Sequence, residues 1–136
     1  MRTKTLLVLL LACGAAQAAD WASLGKSDDG AQEVFVDGSR IRVKAGIRQA
    51  WIETLFAPRT RRGVDENASK WQQRSIALYS YNCNDETVKI ESLATYFDDG
   101  TIYTTPADSN SGPWRPVPPD TLLNAQMQFI CAWKPK

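Results

Sequence analysis

The feature that most constrains this fold is a strand-like alternation of side chains that ends at a hairpin signal. Between Thr87 and Phe97, apolar or small side chains occupy every second position: Val88, Ile90, Ser92, Ala94 and Tyr96. This spacing predicts a β-strand that carries these residues on one face. The sequence that follows, Asp98-Asp99-Gly100, favours a tight turn into another strand, so we expect antiparallel pairing.

Further apolar runs lie between turn residues, as expected for other strands of the same sheet. Ile41 and Val43 alternate with basic residues in a short run of this kind. The run Ile47–Phe56 has apolar groups on both faces, which predicts a central strand covered on each side. The longest runs rich in strand-forming residues are Glu33–Asp37, Ile47–Phe56 and Lys70–Cys83.

The C-terminal segment predicts one amphipathic helix. Asp120 or Thr121, directly after two prolines, is a natural N-cap. Apolar side chains then recur at helical spacing and share one face: Leu123, Met127, Ile130 and Cys131. The predicted fold is therefore α+β, an antiparallel sheet of about five to six strands with one C-terminal helix packed on it.

The first residues have the composition of an export signal. Arg2 and Lys4 precede an apolar run, Leu6–Ala12, that is far shorter than the ~20 residues of a membrane-spanning helix. Ala16-Gln17-Ala18 then matches the A-x-A pattern of a signal-peptidase site. We predict a signal peptide at residues 1–18 and a mature domain at residues 19–136.

A second interpretation of this leader remains open. Leu10-Leu11-Ala12-Cys13-Gly14 resembles a bacterial lipobox, in which Cys13 would become the lipidated first residue of the mature protein.

Removal of residues 1–18 takes Arg2 and Lys4 with it, and the formal net charge falls from +1 to −1. Such a balance predicts no nucleic-acid partner, and it predicts membrane attachment only through lipid on Cys13.

The number of cysteines is consistent with export of the protein. With Cys13 in the leader, the mature chain keeps Cys83 and Cys131, and an even count in an oxidising compartment predicts one disulfide. This bond would tie the inner face of the helix to the sheet. The alternative, a reactive or metal-binding pair of thiols, has no C-x-x-C spacing and no histidine to support it.

The chain contains no histidine, which excludes Ser-His-Asp and Cys-His catalysis and histidine-ligated zinc sites. A hydrolase that works with carboxylates alone would need two acids facing each other across a pocket. The adjacent acids at 28–29 and 98–99 precede glycines and are explained by turn chemistry, without the ligand spacing of a calcium loop. We therefore predict a non-enzymatic protein with no catalytic residues, metal or cofactor.

One cluster of basic residues is a candidate binding site: Arg59, Arg61, Arg62, Lys70 and Arg74. It could contact an acidic partner surface, although Asp65 and Glu66 could instead offset these charges in a solvated loop. The loops at 58–69 and 106–118, or a sheet edge, are the expected recognition surfaces. We expect Trp114 to pack, and the other tryptophans to fill the core or cover its rim.

The order of these features resembles that of the bacterial surface-adhesin protein E family across nearly all of residues 20–131. No single motif is distinctive, and the specificity lies in the order of the motifs and in the two cysteines. The matching segments are Trp21, Val34–Asp37, Ser39–Ile41, the strand with Trp51, Tyr79–Cys83, Tyr96 before Gly100, Trp114–Thr121 and Phe129–Cys131.

The resemblance implies a small exported or lipid-anchored domain in which a C-terminal helix is held against an antiparallel sheet. The namesake is a dimeric adhesin that binds host matrix and serum proteins, so the resemblance implies a protein partner, a Gram-negative periplasmic or cell-surface location and a homodimer. No motif carries the namesake's binding residues onto this chain. The alternative function is a periplasmic inhibitor or chaperone-like partner of an envelope enzyme, for example a lysozyme inhibitor.

Overall fold

The structure is a computed structural model that describes residues 18–105 and 112–135. The predicted signal peptide, Cys13 included, lies outside the described residues except for Ala18. Short 3-10 turns occupy 38–40 and 65–67. The strands and the helix are β1 (Trp21–Lys26), β2 (Gln32–Asp37), β3 (Arg42–Lys44), β4 (Ile47–Phe56), β5 (Gln72–Asn82), β6 (Thr87–Phe97), β7 (Ile102–Thr104), β8 (Arg115–Pro116) and α1 (Leu122–Ala132).

All strands join one antiparallel sheet in the order β1-β2-β4-β5-β6-β7. The short strand β3 pairs with β4 beyond the end of β2, and β8 pairs with β6. The predicted antiparallel sheet is confirmed, with two short strands added to a path of six. Among the described residues, no helix is long and apolar enough to cross a membrane.

The helix α1 covers one face of the sheet and forms the core with it. Thr121 is its N-cap and accepts a hydrogen bond from the Asn124 amide at 3.1 Å. Met127 and Ile130 are buried, and they belong to the same core cluster as the strand residues of β2, β4 and β5. The buried Gln126 accepts a hydrogen bond from the Tyr81 hydroxyl at 3.1 Å, so this polar pair is satisfied inside the core.

The predicted disulfide is confirmed. Cys83 lies directly after β5, Cys131 lies in the last turn of α1, and their Cα atoms are 5.8 Å apart. The bond closes a loop with a sequence separation of 48. In the chain-entropy account, a loop of this length contributes about 4 kcal/mol to stability.

The other face of the sheet is open, and the prediction that β4 is covered on each side is wrong. Leu55 on β4 is 39% exposed and Trp51 is only half-buried. The physical reason is that α1 packs against β1, β4 and β5 from one side alone. The apolar groups on the opposite face of β4 therefore lie partly in solvent.

A β-bulge in β6 contradicts the predicted face of that strand. Ile90 pairs with Tyr79, but Ser92 pairs with the next residue, Leu78, so Glu91 is an extra residue in the ladder. Because cross-strand partners share a face, Val88 and Ile90 lie on the helix side. The remaining residues of the predicted stripe lie on the open side: Ser92, Ala94 and Tyr96.

The segment between β7 and α1 also differs from expectation. Residues 106–111 lie outside the described part of the chain, and Arg115–Pro116 forms the short strand β8. Trp114 is 41% exposed, with the Lys89 ammonium 5.3 Å from its ring centroid, so the prediction that it packs is wrong. Trp114 directly precedes β8, an outer strand that pairs only with β6, and solvent therefore reaches its ring.

The connections between strands gather at two opposite ends of the sheet. We call one the loop end, where the turns 27–31, 57–71 and 98–101 lie beside the start of α1. We call the other the entry end, where the chain enters β1 and leaves α1, next to the β3–β4 turn. The Cys83–Cys131 disulfide belongs to the entry end.

Candidate binding surface

The arginine loop, residues 57–71, connects β4 to β5 at the loop end and is held by its own backbone hydrogen bonds. The Gly63 amide donates to the Lys70 carbonyl at 3.0 Å, and the Gln72 amide donates to the Arg61 carbonyl at 2.8 Å. Arg62 forms an antiparallel bridge with Trp71. The base of the loop is therefore a short continuation of the strand pairing.

Gly63 is required at the narrowest point of this loop. A Cβ atom at this position would lie 2.5 Å from the Asn67 carbonyl oxygen and 2.9 Å from a ring carbon of Phe97. Both distances are too short for a carbon atom, and one of the two neighbours is backbone. The loop can therefore take this path only with glycine at position 63.

Two arginines of the loop lie over aromatic rings. The guanidinium carbon of Arg62 is 4.2 Å from the Trp71 ring centroid, and that of Arg61 is 5.4 Å from the Phe56 centroid. A cation over an aromatic face gains about 0.5–1 kcal/mol at an exposed site. The rings therefore restrict where these guanidinium groups lie while both side chains stay exposed.

In the described part of the chain, no carboxylate lies within 4.0 Å of the charged groups of Arg59, Arg61 and Arg62. The ion pairs found there involve other cations. Asp65 and Glu66 follow in the same loop but form no ion pair with them. The expected offset of charge does not take the form of salt bridges. The Arg62 guanidinium also donates to the Ala68 carbonyl at 3.3 Å, and the remaining donors of the three arginines are available to an acidic partner.

The other two predicted site residues, Lys70 and Arg74, both form ion pairs. Lys70 pairs with Asp99 at 3.3 Å and donates to the Thr101 hydroxyl at 2.9 Å, which ties the arginine loop to the β6–β7 hairpin. Arg74 pairs with Glu53 at 2.8 Å on the open face of the sheet. The structure therefore brings four of the five predicted residues together in the arginine loop and places Arg74 on the open face of β5.

A shallow cavity of about 210 Å³ adjoins Arg61, and the β1–β2 turn forms its other wall. In that turn, the Asp29 carboxylate accepts hydrogen bonds from the Ser27 hydroxyl and the Ala31 amide, and these bonds lower the pKa of Asp29 below its ordinary value. Burial raises the pKa of Tyr79, while the charge of Arg61 acts in the opposite direction.

A second cavity, of about 310 Å³, lies beside Arg59 and includes the Trp71 ring. The roles of Phe56 and Trp71 could not be predicted from the sequence, because a ring and a cation that meet across a hairpin base share no fixed spacing. In the described residues there is no group of three or more Cys, Asp or Glu side chains that could hold a metal ion. What the arginine loop offers chemically is a set of positioned donors for carboxylate, sulfate or phosphate oxygens.

Comparison with known proteins gives one match. A family model described as Surface-adhesin protein E matches residues 21–132, from the first residue of β1 to the last residue of α1. The match includes both disulfide cysteines. No curated protein and no solved structure matches the chain.

Proposed function

The chain belongs to the surface-adhesin protein E family, and from this premise we propose that it binds a macromolecular partner through the arginine loop. As a member of this family it is an adhesin-like surface protein. The partner we propose is a protein of the host matrix, the host serum or the bacterial envelope that presents an acidic patch. Recognition then depends on contact between surfaces and requires no chemical step.

The observation that carries this proposal is the state of the three loop arginines. They are exposed, they lack carboxylate partners among the described residues, and stacking positions two of them. An exposed arginine normally loses side-chain entropy when it binds, up to about 2 kcal/mol. Stacking on a ring reduces that loss, so the loop is suited to a defined acidic partner.

We also propose how the mature protein arises. Residues 1–18 act as the signal peptide, and residues 19–136 form the mature domain, with lipidation at Cys13 as the alternative form. Mass spectrometry of the mature N-terminus distinguishes the two. A chain that begins at Ala19 excludes lipid on Cys13, and a chain that begins at a diacylated Cys13 excludes cleavage after Ala18.

The binding proposal is tested with immobilised matrix and serum proteins and with an envelope extract. We expect the triple variant Arg59→Gln/Arg61→Gln/Arg62→Gln to bind its partner at least tenfold more weakly. The reason is that a hydrogen bond to a charged group in an interface contributes about 1–3 kcal/mol to the binding free energy. Trp71→Leu removes the ring under Arg62, leaves all three charges and should weaken binding about threefold.

The matched control is Arg42→Gln/Lys44→Gln/Lys134→Gln, which removes the same charge from the entry end. It should bind the protein partner like the wild type. Equal binding by the loop variant and the wild type contradicts the proposed contact surface. Retention of an envelope enzyme, with no matrix or serum protein bound, favours the inhibitor or chaperone-like function instead.

A further inference from the structure

A cavity of about 390 Å³ lies between α1 and β6, on the side of the sheet that carries the helix. We call it the proline cavity. The sheet forms its floor, Leu123 in the first turn of α1 forms one wall, and the segment 112–118 forms the other. None of its lining residues belongs to the arginine loop, so the cavity is distinct from the binding surface proposed above.

The floor of the proline cavity is a part of the sheet that the helix leaves uncovered. Tyr79 on β5 and Ile90 on β6 are cross-strand partners, and they share the helix side with the core residue Val88. Because α1 packs against β1, β4 and β5, the β6 side of this face extends past the helix. Ile90 is 39% exposed as a result. An apolar floor is therefore open to a ligand.

The proline wall is held beside β6 by backbone hydrogen bonds. The Gly112 amide donates to the Ile90 carbonyl at 3.1 Å, and β8 pairs with the first two residues of β6. A proline has a fixed φ and no N–H group, so a wall of prolines presents ring carbons and adds no amide donor. The wall is therefore apolar and pre-formed, which reduces the entropy lost on binding. The prolines that line the cavity are Pro113, Pro116 and Pro118.

Arg115 supplies the cavity with a positive charge. It is the cross-strand partner of Val88, and partners share a face, so Arg115 lies on the same side of the sheet as the cavity floor. In residues 18–105 and 112–135, no carboxylate lies within 4.0 Å of its guanidinium group, and this includes Asp85 and Glu86 in the turn before β6. The described residues that line the cavity contain no Asp or Glu.

Lys89 does not add a second unbalanced charge to the cavity. It lies between Val88 and Ile90 in β6, so strand alternation directs its side chain to the open face of the sheet. Its ammonium group is 3.0 Å from the Glu91 carboxylate. The positive charge that faces the cavity is therefore that of Arg115.

Tyr79 adds a hydroxyl group whose hydrogen-bonding capacity is unused. Tyr81, its neighbour on the same face, donates to Gln126 at 3.1 Å, whereas the Tyr79 hydroxyl has no hydrogen-bond partner in the described part of the chain. Burial raises the pKa of Tyr79 above its ordinary value of 10.0, so the hydroxyl keeps its proton at neutral pH and can donate it to an acceptor.

We propose that the proline cavity binds a small molecule with an apolar body and one carboxylate, of the class of medium-chain fatty acids. The apolar body lies against Ile90, Leu123 and the proline rings, and the carboxylate accepts hydrogen bonds from Arg115. A guanidinium group can form two parallel hydrogen bonds with a carboxylate.

The charge and the size of the cavity favour this class of ligand. One unpaired guanidinium balances the single charge of a carboxylate, whereas a phosphate group carries about two charges at neutral pH. Cavities for small ligands measure about 300–1,000 Å³ and combine apolar walls with a few polar groups. The proline cavity has this size and this composition.

The test is calorimetric titration of the mature protein with decanoate, below the concentration at which decanoate forms micelles. Decanol has the same chain without the charge, and decyltrimethylammonium has the opposite charge. We expect decanoate to bind at least tenfold more tightly than decanol, because hydrogen bonds to a charged group are the stronger ones, and decyltrimethylammonium to bind most weakly. Equal affinities for the three compounds overturn the proposal. Preferential binding of a peptide with a C-terminal leucine overturns the assignment to a small molecule.

Substitution of Arg115 tests the role of its charge. Arg115→Gln should bind decanoate about tenfold more weakly and decanol as the wild type does, and Arg115→Lys should recover part of the loss. Arg42→Gln is the matched control, since it removes an exposed cation from β3, and its affinity for decanoate should equal that of the wild type. Unchanged binding of decanoate by Arg115→Gln contradicts the proposed contact.

A second variant tests the position of the ligand. Ile90→Trp should fill the cavity and prevent binding of both decanoate and decanol, and thermal unfolding checks that the domain remains folded. Retained binding in a folded Ile90→Trp variant places the ligand elsewhere and overturns the proposal. The loop variant Arg59→Gln/Arg61→Gln/Arg62→Gln should still bind decanoate, and Arg115→Gln should still bind the protein partner, so failure of one proposal is distinguished from failure of the other.

Discussion

At the loop end, the guanidinium groups of Arg61 and Arg62 lie over aromatic rings. At the entry end, Arg42, Lys44 and Lys134 are exposed, and in the described residues none of them lies over an aromatic ring. The two ends thus present a similar number of cations in different ways. One arrangement restricts the positions of the charges, and the other leaves them free to move.

This difference teaches which kind of partner each end fits. A protein surface offers carboxylates at fixed positions, so positioned arginines lose less entropy on binding. Cations without a ring contact lose more side-chain entropy on binding, so the entry end is less suited to a partner with charges at fixed positions. The sheet keeps the two ends apart, because its long strands place their connections on opposite sides.

The largest expected effect comes from removal of the disulfide. Cys83→Ser/Cys131→Ser should lower the free energy of unfolding by about 4 kcal/mol, measured by urea denaturation. Because Cys131 lies in the last turn of α1, hydrogen exchange should rise most at the entry end. The arginine loop keeps its own backbone bonds and should still bind the protein partner below the melting temperature.

This variant also tests whether the two ends are independent. An equal rise in exchange at α1 and at residues 57–71 would show that both ends open as one cooperative unit. In that case, the assignment of protein binding to the loop end alone would lose its structural basis. Retained protection in the loop, together with increased exchange at α1, is the expected outcome.

The second largest effect is expected from Gly63→Ala. The added Cβ meets the Asn67 carbonyl and the Phe97 ring, so the arginine loop must move, at a cost of about 1–3 kcal/mol. Thermal unfolding measures this loss. Partner binding should weaken with it, because the ring contact of Arg62 depends on the path of the loop.

Gly38→Ala is the matched control at the entry end. A Cβ atom there would lie 3.9 Å from its nearest neighbour, the Asp20 carbonyl oxygen, which is an ordinary contact distance. Its unfolding temperature should stay close to that of the wild type. If Gly63→Ala behaves in the same way, the loop tolerates another path, and its geometry does not determine how the arginines are presented.

The sequence predicted those parts of the fold that depend on local periodicity. The bounds Ile47–Phe56 of β4, the hairpin turn at 98–100 and the N-cap Thr121 are all as expected. The disulfide followed from cysteine parity and was confirmed. Each of these features can be predicted from a few neighbouring residues or, for the disulfide, from the number of cysteines.

Features that depend on register between strands could not be predicted in this way. The bulge at Glu91 moves half of the β6 stripe to the other face, and no local pattern shows where an extra residue enters a ladder. The stacking of Arg62 on Trp71 likewise depends on how the loop closes. The basic cluster was therefore predicted from composition alone. The structure was required to separate the three arginines without an ion pair from Lys70 and Arg74, which have one.

The smallest expected effect concerns acid, and it should also distinguish the two ends. At the loop end, Asp29 accepts hydrogen bonds from Ser27 and Ala31, and Asp99 accepts two from Thr101. These bonds lower the pKa of both carboxyls below 3.8, their ordinary value. A lowered pKa in the folded state means that the contribution to stability is fully present above pH 3.8. It is lost as the pH falls through the folded-state pKa.

Since both carboxylates are exposed, the loss is small, and it is measured best as a difference between variants. The free energy of unfolding should fall more between about pH 5 and about pH 2 in the wild type than in Asp29→Asn/Asp99→Asn. Hydrogen exchange over this range should rise in the turns 27–31 and 98–101 before it rises in α1. Because these turns flank the arginine loop, acid should weaken protein binding before it increases exchange in α1. Simultaneous loss of binding and of protection in α1 would mean that acid acts on the whole domain, and the loop end would then have no separate sensitivity.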